Sequence, residues 1–285
     1  MKNLPDLYYN NEISLDREKE IRMVKIDREK CIGCGLCAED CISRNIEIQE
    51  NKAVIKKDCF KCGHCVAVCP KGAVSIPEYE MEDVEEYDAE RFDIEPERVL
   101  HSIKFRRSIR SYQPKQVEQE VLEQLLQAGR YTATAKNTQN CCFVFVQNER
   151  EHLKELVWKY IGEMEKEYGS QIPRELYPYV AFNRRRKADP ADDYLFRNAP
   201  VVLFITTDCT IDAGLAAQNI ENMAVSMGLG ALYNGFLARI ANANEELKQW
   251  LGIEGKEIQA CMLLGYPDRI YKRTAPRRKA NVIWK

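Results

Sequence analysis

Apolar positions along the chain follow two periods. Alternation at period two marks NIEIQENKAVI (45–55) as a β-hairpin, and GAVSIP (72–77) reads as a further short strand. Beyond residue 98 the runs lengthen. VLHSIKFRRSIRSYQP (99–114) begins as an amphipathic helix that stops at Pro114, and Val121, Leu122, Leu125, Leu126 and Ala128 place a second helix over 117–129. CCFVFVQN (141–148), PVVLFITTD (200–208) and IQACMLLGYP (258–267) are continuous apolar runs suited to buried strands, and NVIW (281–284) reads as a fourth. A charged amphipathic helix fits 149–168. A long one fits 211–228, with Gly228 or Gly230 at its C-terminal end. Strands mixed with long helices indicate α+β or α/β architecture around a central sheet.

Two stretches lack either period. Residues 77–98 carry eleven Asp or Glu and two Arg, which favours a solvated acidic linker. Residues 169–197 are long, mixed in charge and weakly periodic. They suit a lid or substrate wall, with Tyr177, Tyr179, Phe182 and Arg184 to Arg186 as contacts, or equally a solvated insertion.

The chain has 285 residues, enough for one large domain and one small one, and its 45% apolar content is sufficient for a sizeable core. A net charge of −2 argues against nucleic acid as a partner. The first 22 residues are polar, without an apolar export signal, and no window suits a bilayer span. A cytoplasmic location without membrane attachment is the expectation. In that reducing setting twelve cysteines are metal ligands, reactive thiols or buried apolar groups rather than a disulfide framework.

Eight of the twelve form a repeat. Cys31, Cys34, Cys37 and Cys41 are spaced C-x2-C-x2-C-x3-C. Cys59, Cys62, Cys65 and Cys69 repeat the spacing 28 residues later. Three thiolates within seven residues, in turns containing Gly33, Gly35 and Gly63, can wrap three corners of one cubane while backbone amides point at the sulfurs. Zinc sites pair C-x2-C units without packing three cysteines so closely. The repeat therefore points to two [4Fe–4S] clusters and to one-electron transfer.

The segment resembles bacterial two-cluster ferredoxins, in which the fourth cysteine of each motif serves the other cluster. The resemblance implies one set of Cys31, Cys34, Cys37 and Cys69, and another of Cys59, Cys62, Cys65 and Cys41. Pro70 follows Cys69 as that pattern expects; Ile42 after Cys41 departs from it. His64 reads as an exposed loop residue. Cys141, Cys142, Cys209 and Cys261 read as free thiols in or beside strands, with a Cys141–Cys142 redox pair as the alternative.

The later region carries a second chemistry. Arg106-Arg107-Ser108-Ile109-Arg110 offers guanidinium forks and a hydroxyl suited to phosphate and carbonyl oxygens. Ala133 to Gln139 contains Thr134, Asn137 and Gln139; Gly228-Leu229-Gly230 precedes Leu232-Tyr233-Asn234-Gly235-Phe236; Leu264-Gly265-Tyr266-Pro267 precedes Arg277-Arg278-Lys279. In this order the four pieces resemble the nitroreductase family of FMN enzymes. The resemblance implies an FMN site made by Arg106, Arg107, Ser108, Arg110, Thr134, Asn137, Gln139, Leu232, Asn234, Gly235, Arg277 and Lys279. The resemblance further implies an intertwined homodimer in which the Thr134 segment approaches FMN from the opposite subunit. Ala133 and Asn140 stand where the family commonly has prolines. The family also implies an α+β sandwich, a mostly antiparallel sheet flanked by helices, and no side-chain catalytic acid.

The expected organisation is thus an N-terminal extension (1–22), a two-cluster ferredoxin-like domain (23–77), an acidic linker (78–98) and a nitroreductase-like FMN domain (99–285). The clusters would feed the flavin from reduced ferredoxin or a similar carrier, with NAD(P)H as another donor. The flavin would then reduce a nitro compound, quinone or enone. A specialised dehydrogenase or dehalogenase, and a non-catalytic electron carrier, are the competing readings.

Overall fold

The computed structural model describes residues 24–57 and 59–285. The expected N-terminal extension lies outside them. The chain divides into two compact units, one ending at Phe92 and the other beginning at Asp93.

The first unit is built on the sequence repeat. Strand β1 (Lys25–Ile26) is followed by the four-residue helix α1 (Leu36–Glu39), strands β2 (Ile46–Gln49) and β3 (Lys52–Ile55), the four-residue helix α2 (His64–Ala67) and strand β4 (Val74–Ser75). β1 pairs antiparallel with β4, and β2 with β3. The hairpin turn is Glu50-Asn51, with φ of 48° and 56°. Two left-handed residues in a two-residue loop match the twist of the strands they join. The interior is small: Val24, Ile46, Ala53, Ala73, Val74 and Ile76 pack with Cys31, Cys37 and Cys65. The stretch expected to be a plain acidic linker holds a 3-10 turn (Met81–Asp83), the short helix α3 (Ala89–Phe92) and the start of the next helix.

The second unit opens with α4 (Pro96–Phe105) and α5 (Gln119–Arg130), followed by β5 (Cys142–Val146), α6 (Arg150–Tyr168), α7 (Tyr177–Ala188) and β6 (Val201–Thr206). The long helix α8 (Thr210–Ser226) then leads to β7 (Gly230–Tyr233), α9 (Gly235–Asn242), α10 (Glu245–Trp250) and β8 (Ile258–Gly265). The four strands form an antiparallel sheet in the order β5-β6-β8-β7. With both faces covered, period two sorts the side chains into two cores. Val202 and Phe204 of β6, with Cys261 and Leu263 of β8, face a core shared with Leu153, Trp158 and Ile161 of α6 and with Leu237 and Leu247. Val201, Leu203 and Ile205, with Met262 and Leu264, face the opposite core with Leu122 and Leu125 of α5 and Ala213, Ala217 and Ile220 of α8. The result is an α+β sandwich.

Three expectations are corrected. The first helix ends at Phe105, nine residues before Pro114, because Arg106 turns extended (φ −50°, ψ 133°) and the chain then bridges a strand. Residues 169–197 contain α7, whose apolar positions are too few to give a clean period. NVIW forms no strand; the fourth strand is β7, hidden in the glycine-rich motif, and residues 281–284 pair with no edge within the described chain.

One contact fixes the path from helix to sheet. Ile109 donates its amide to the Ala231 carbonyl (2.9 Å), and Ser108 bridges Ala231. The approach demands glycine at residue 230: a Cβ there would lie 2.1 Å from Ile109 Cγ1 and 3.2 Å from Pro267 Cγ. Gly230→Ala should therefore destabilise the second unit by about 1–3 kcal/mol, measured as a lowered denaturation midpoint. An unchanged midpoint would contradict the close packing described.

Candidate functional site

The cysteines surround two cavities. Cys31, Cys34, Cys37 and Cys69 line one, together with Ile32, Leu36 and Pro70. Cys41, Cys59, Cys62 and Cys65 line the other. Each cavity thus collects three cysteines of one motif and the last of the other. The helices explain this exchange. Gly35 (φ 85°) and Gly63 (φ 79°) start α1 and α2 in left-handed conformation, and each helix carries the chain past its own loop before the fourth cysteine.

The repeat extends to backbone geometry. Gly33 (φ 67°) and Lys61 (φ 52°), 28 residues apart, hold the same left-handed turn between the first two cysteines. Glycine is obligatory only in the first, where a Cβ would lie 2.2 Å from the Asn51 carbonyl oxygen at the hairpin tip. Amides point at sulfur in both halves: Asn45 N–H to Cys41 Sγ (3.3 Å) and Ala73 N–H to Cys69 Sγ (3.3 Å). Ala53 donates to Cys31 (3.4 Å) and Lys61 to Cys59 (3.3 Å). Amides aimed this way stabilise thiolate over thiol. The Ala53 amide pulls the Cys31 thiol below its usual range, whereas burial pushes the Cys65 thiol up to about 11. Ligation by such a buried thiol displaces its proton. Among the described residues, no three His, Cys, Asp or Glu side chains converge closely enough to hold a single ion. Four thiols that surround a cavity without converging on one point fit an inorganic cluster better than zinc, whose sulfurs lie about 2.3 Å from the metal. His64 is exposed at the start of α2.

In the second unit a cleft of about 800 Å³ opens beside the β7–α9 turn. Arg110, Leu232, Tyr233, Asn234, Gly235 and Phe236 line it, facing Phe182, Tyr194, Leu195, Arg197 and Arg239. Asn234 is the pivot of the turn. Its Oδ1 accepts from the Leu237 amide (3.0 Å), capping α9. Its Nδ2 donates to the Leu195 carbonyl (2.8 Å), and its amide donates to Cys261 of β8 (2.8 Å). The side chain therefore fixes backbone through one of its two donors and one of its two acceptor lone pairs. At Gly235 a Cβ would meet nothing within 4 Å, so its backbone is open to the cleft.

The other expected residues fall into two groups. Arg106, Arg107 and Ser108 precede Arg110 on the strand-like segment that bridges β7. Arg106 Nη1 pairs with Glu221 Oε1 of α8 at 2.8 Å, and that carboxylate is 1% exposed. A buried carboxylate beside one guanidinium holds it in place at the expense of free charge. Arg107 lies over the Tyr271 ring, 5.8 Å from its centroid. Tyr233 feels the same surroundings: burial and the Glu221 charge push its hydroxyl up to about 12.

Of the arginine motif only Arg110 lines the cleft; Arg106, Arg107 and Ser108 do not, nor do Thr134, Asn137, Gln139, Arg277 and Lys279. Thr134 Oγ1 accepts from the Gln139 amide (3.0 Å), closing a loop in which Lys136, Asn137 and Gln139 all have positive φ. Such a run stores strain. Asn140, standing where a proline was expected, anchors the loop: Thr207 donates to its Oδ1 (2.9 Å) and its Nδ2 donates to Asp208 (3.2 Å). Arg277 and Lys279 lie in the exposed C-terminal stretch, where Arg277 bonds only the neighbouring Pro276 carbonyl.

The cleft residues that sequence reasoning left out are Tyr194, Leu195, Arg197 and Arg239. Their only available signal was membership of a charged aromatic segment, or of a helix directly after the glycine motif. Phe182 belonged to the stretch considered as a substrate wall, and it does line the cleft. His101 and His152 are exposed; His101 stacks on Phe105 and His152 meets Glu155 at 3.3 Å.

Comparison with known proteins gives two family matches. Residues 103–266 match the Nitroreductase family model, and residues 30–73 match that of the 4Fe-4S dicluster domain. A Methanothermobacter thermautotrophicus protein, provisionally named NADH dehydrogenase/NAD(P)H nitroreductase, is 28% identical over 179 residues, which are 59% of this chain and 77% of that protein. A ferredoxin of Methanothermococcus thermolithotrophicus is 42% identical over 59 residues, 19% of this chain and 98% of that protein. A Bacteroides fragilis nitroreductase solved with bound FMN shares the fold with a TM-score of 0.54 at 22% identity, over 66% of this chain and 98% of that one.

The exchange of fourth cysteines yields a double-variant test. Cys41→Ala with Cys62→Ala strikes one cavity and should leave about four irons per chain, whereas Cys34→Ala with Cys41→Ala strikes both and should leave almost none. Iron analysis giving the opposite order would mean that each motif serves its own cluster.

Proposed function

The chain belongs to the nitroreductase family and carries a 4Fe-4S dicluster domain ahead of that match, and from this premise we propose that it is an FMN-dependent reductase fed with electrons through two [4Fe–4S] clusters. One observation carries the flavin reading: the Ser108–Ala231 bridge sets the arginine motif directly beside the Leu232–Gly235 turn, at a cationic, aromatic cleft. Motifs more than a hundred residues apart in sequence meet where one planar, phosphorylated cofactor would touch both.

The donor set fits FMN. Ser108, Arg107 and Arg110 would hold phosphate and pyrimidine oxygens, with Arg106 fixed by Glu221. The Gly235 backbone would approach the ring, and Thr134, Asn137, Gln139, Arg277 and Lys279 would complete the site. When bound, FMN takes electrons singly and delivers two as a hydride equivalent, which suits one-electron clusters upstream. Reduction of a nitro group to nitroso consumes two electrons and two protons and releases water. Among the described residues no carboxylic acid lines the cleft, and in this reading solvent would supply those protons. Reduced ferredoxin or a similar carrier is the donor this arrangement favours, because its electrons arrive one at a time. The acceptor is a small electrophile such as a nitro compound, quinone or enone.

A homodimer belongs to the same reading. Helix α4 buries none of its residues, and Val99, Leu100 and Ile103 stand exposed on it. Val282, Ile283 and Trp284 are exposed as well, Trp284 by 88%. Apolar surface of this kind is covered in a stable protein, and a second copy would cover it while carrying the Thr134 loop and the C-terminal basic residues to the partner's cleft.

Two measurements check the proposal. Anaerobic holoenzyme should reduce nitrobenzene with reduced ferredoxin. Replacing Cys65 by Ala should lower that rate by about ten-fold or more at unchanged FMN content; an unchanged rate would overturn the cluster-fed path. Light scattering should give a mass about twice 33.0 kDa, and deletion of residues 281–285 should shift it towards the monomer. A full-length monomer with stoichiometric FMN would overturn the dimeric site.

A further inference from the structure

The cleft holds more positive charge than the flavin motif supplies. Arg110, Arg197 and Arg239 line it and no carboxylate does. Only Arg110 belongs to the motif assigned to FMN. Arg197 lies on the segment after α7 and Arg239 on α9, outside that motif.

The local structure keeps Arg197 unneutralised. The acids nearest to it in sequence are committed elsewhere. Asp192 binds Arg185 through both oxygens (2.7 and 3.2 Å). Asp193 pairs with Lys154 at 2.8 Å and accepts from the amides of Phe196 (3.3 Å) and Asn198 (3.2 Å). Those two amides flank Arg197, so the buried Asp193 carboxylate sets the turn in which Arg197 and Asn198 adopt left-handed φ of 57° and 53°. Strain held in this way is seldom retained without a use. The guanidinium then lies over the Tyr194 ring, 3.6 Å from its centroid, with Arg185 also over that ring at 4.4 Å. Tyr194 stacks on Phe182 (5.1 Å), which meets Phe236 edge-on (5.2 Å). One wall is therefore a fixed guanidinium mounted on an aromatic ladder, and Arg239 adds a second cation beside Tyr179 and Phe236.

We propose that Arg197 and Arg239 form an anion subsite that receives the carboxylate of a planar, conjugated acceptor, whose ring packs on the exposed Phe236. The inference rests on the FMN-reductase reading and adds the substrate class to it. Guanidinium forks match a carboxylate in geometry and charge, and their value rises in a cleft with apolar walls. A neutral acceptor leaves both cations without an anion, which is the source of discrimination.

The test compares 4-nitrobenzoate with 4-nitrobenzamide as acceptors for the holoenzyme driven by reduced ferredoxin, and benzoate with benzamide as ligands of the oxidised holoenzyme by titration calorimetry. The acid should exceed the amide by about ten-fold or more in kcat/KM and in affinity. Arg197→Gln and Arg239→Gln should each bring both ratios close to one while FMN content stays at the wild-type value; Arg197→Lys, which keeps charge but loses the fork, should give an intermediate ratio. Equal handling of acid and amide by the wild type would overturn the subsite. Loss of FMN from the Gln variants would overturn it too, by assigning these guanidiniums to the cofactor phosphate. A raised KM for NADPH with the acid-to-amide ratio intact would assign them to a nucleotide donor, again against the proposal. If neither nitro compound turns over, the reductase reading fails, and the calorimetric preference for benzoate over benzamide then decides the subsite on its own.

Discussion

Ile109 and Gly230 pack so closely that no side chain fits between them, and the cleft depends on that contact. It ends helix α4 early and lays the arginine motif along β7. Arg110 is thereby held at one side of the turn that Asn234 organises. Asn234 in turn ties β8, α9 and the Leu195 carbonyl together. The apolar strands supply the stability and the two cores. The polar ties decide where charge is presented. Glu221 belongs to this group: its burial is tolerated because Arg106 stands against it, and the pair fixes the first guanidinium of the motif.

The first unit meets a different constraint with the same economy of residues. It has too little apolar material for an independent core, and three of its buried groups are cysteines. Bound clusters would fill the two cavities and cross-link the halves, since each cavity draws its fourth cysteine from the other motif. Stability and electron transfer would then reside in the same atoms.

The cluster unit was legible almost residue by residue. Cysteine spacing states both the ligand type and the duplication, and the hairpin at 45–55 alternates cleanly. Strands β6 and β8 were equally visible as buried apolar runs, whereas β5, expected to be buried, is a half-buried edge strand of which only Val146 is buried. What escaped the sequence was set by tertiary contact. β7 is four residues inside a glycine motif, and its strand character comes from pairing with β8. NVIW has strand composition yet pairs with none of the described strands, although β5 and β7 leave the sheet with open edges. Helix α7 lacks a clear period because Tyr179, Phe182 and Asn183 are its only buried residues, among a run of arginines. Arg197 and Arg239 carry no motif; that both line one cleft is a product of the fold. Thr134 to Gln139, Arg277 and Lys279 lie away from the cleft within one chain, as the proposed homodimer would require.

The central claim is that electrons enter at the clusters and reach the substrate through the flavin. Stopped-flow mixing of oxidised anaerobic holoenzyme with reduced ferredoxin, followed at cluster and flavin wavelengths, tests it most directly. The account predicts cluster bleaching first, with flavin bleaching following at a rate set by transfer inside the protein and independent of ferredoxin concentration. Flavin bleaching that precedes the clusters, or proceeds at full rate when the clusters have been removed, would contradict it.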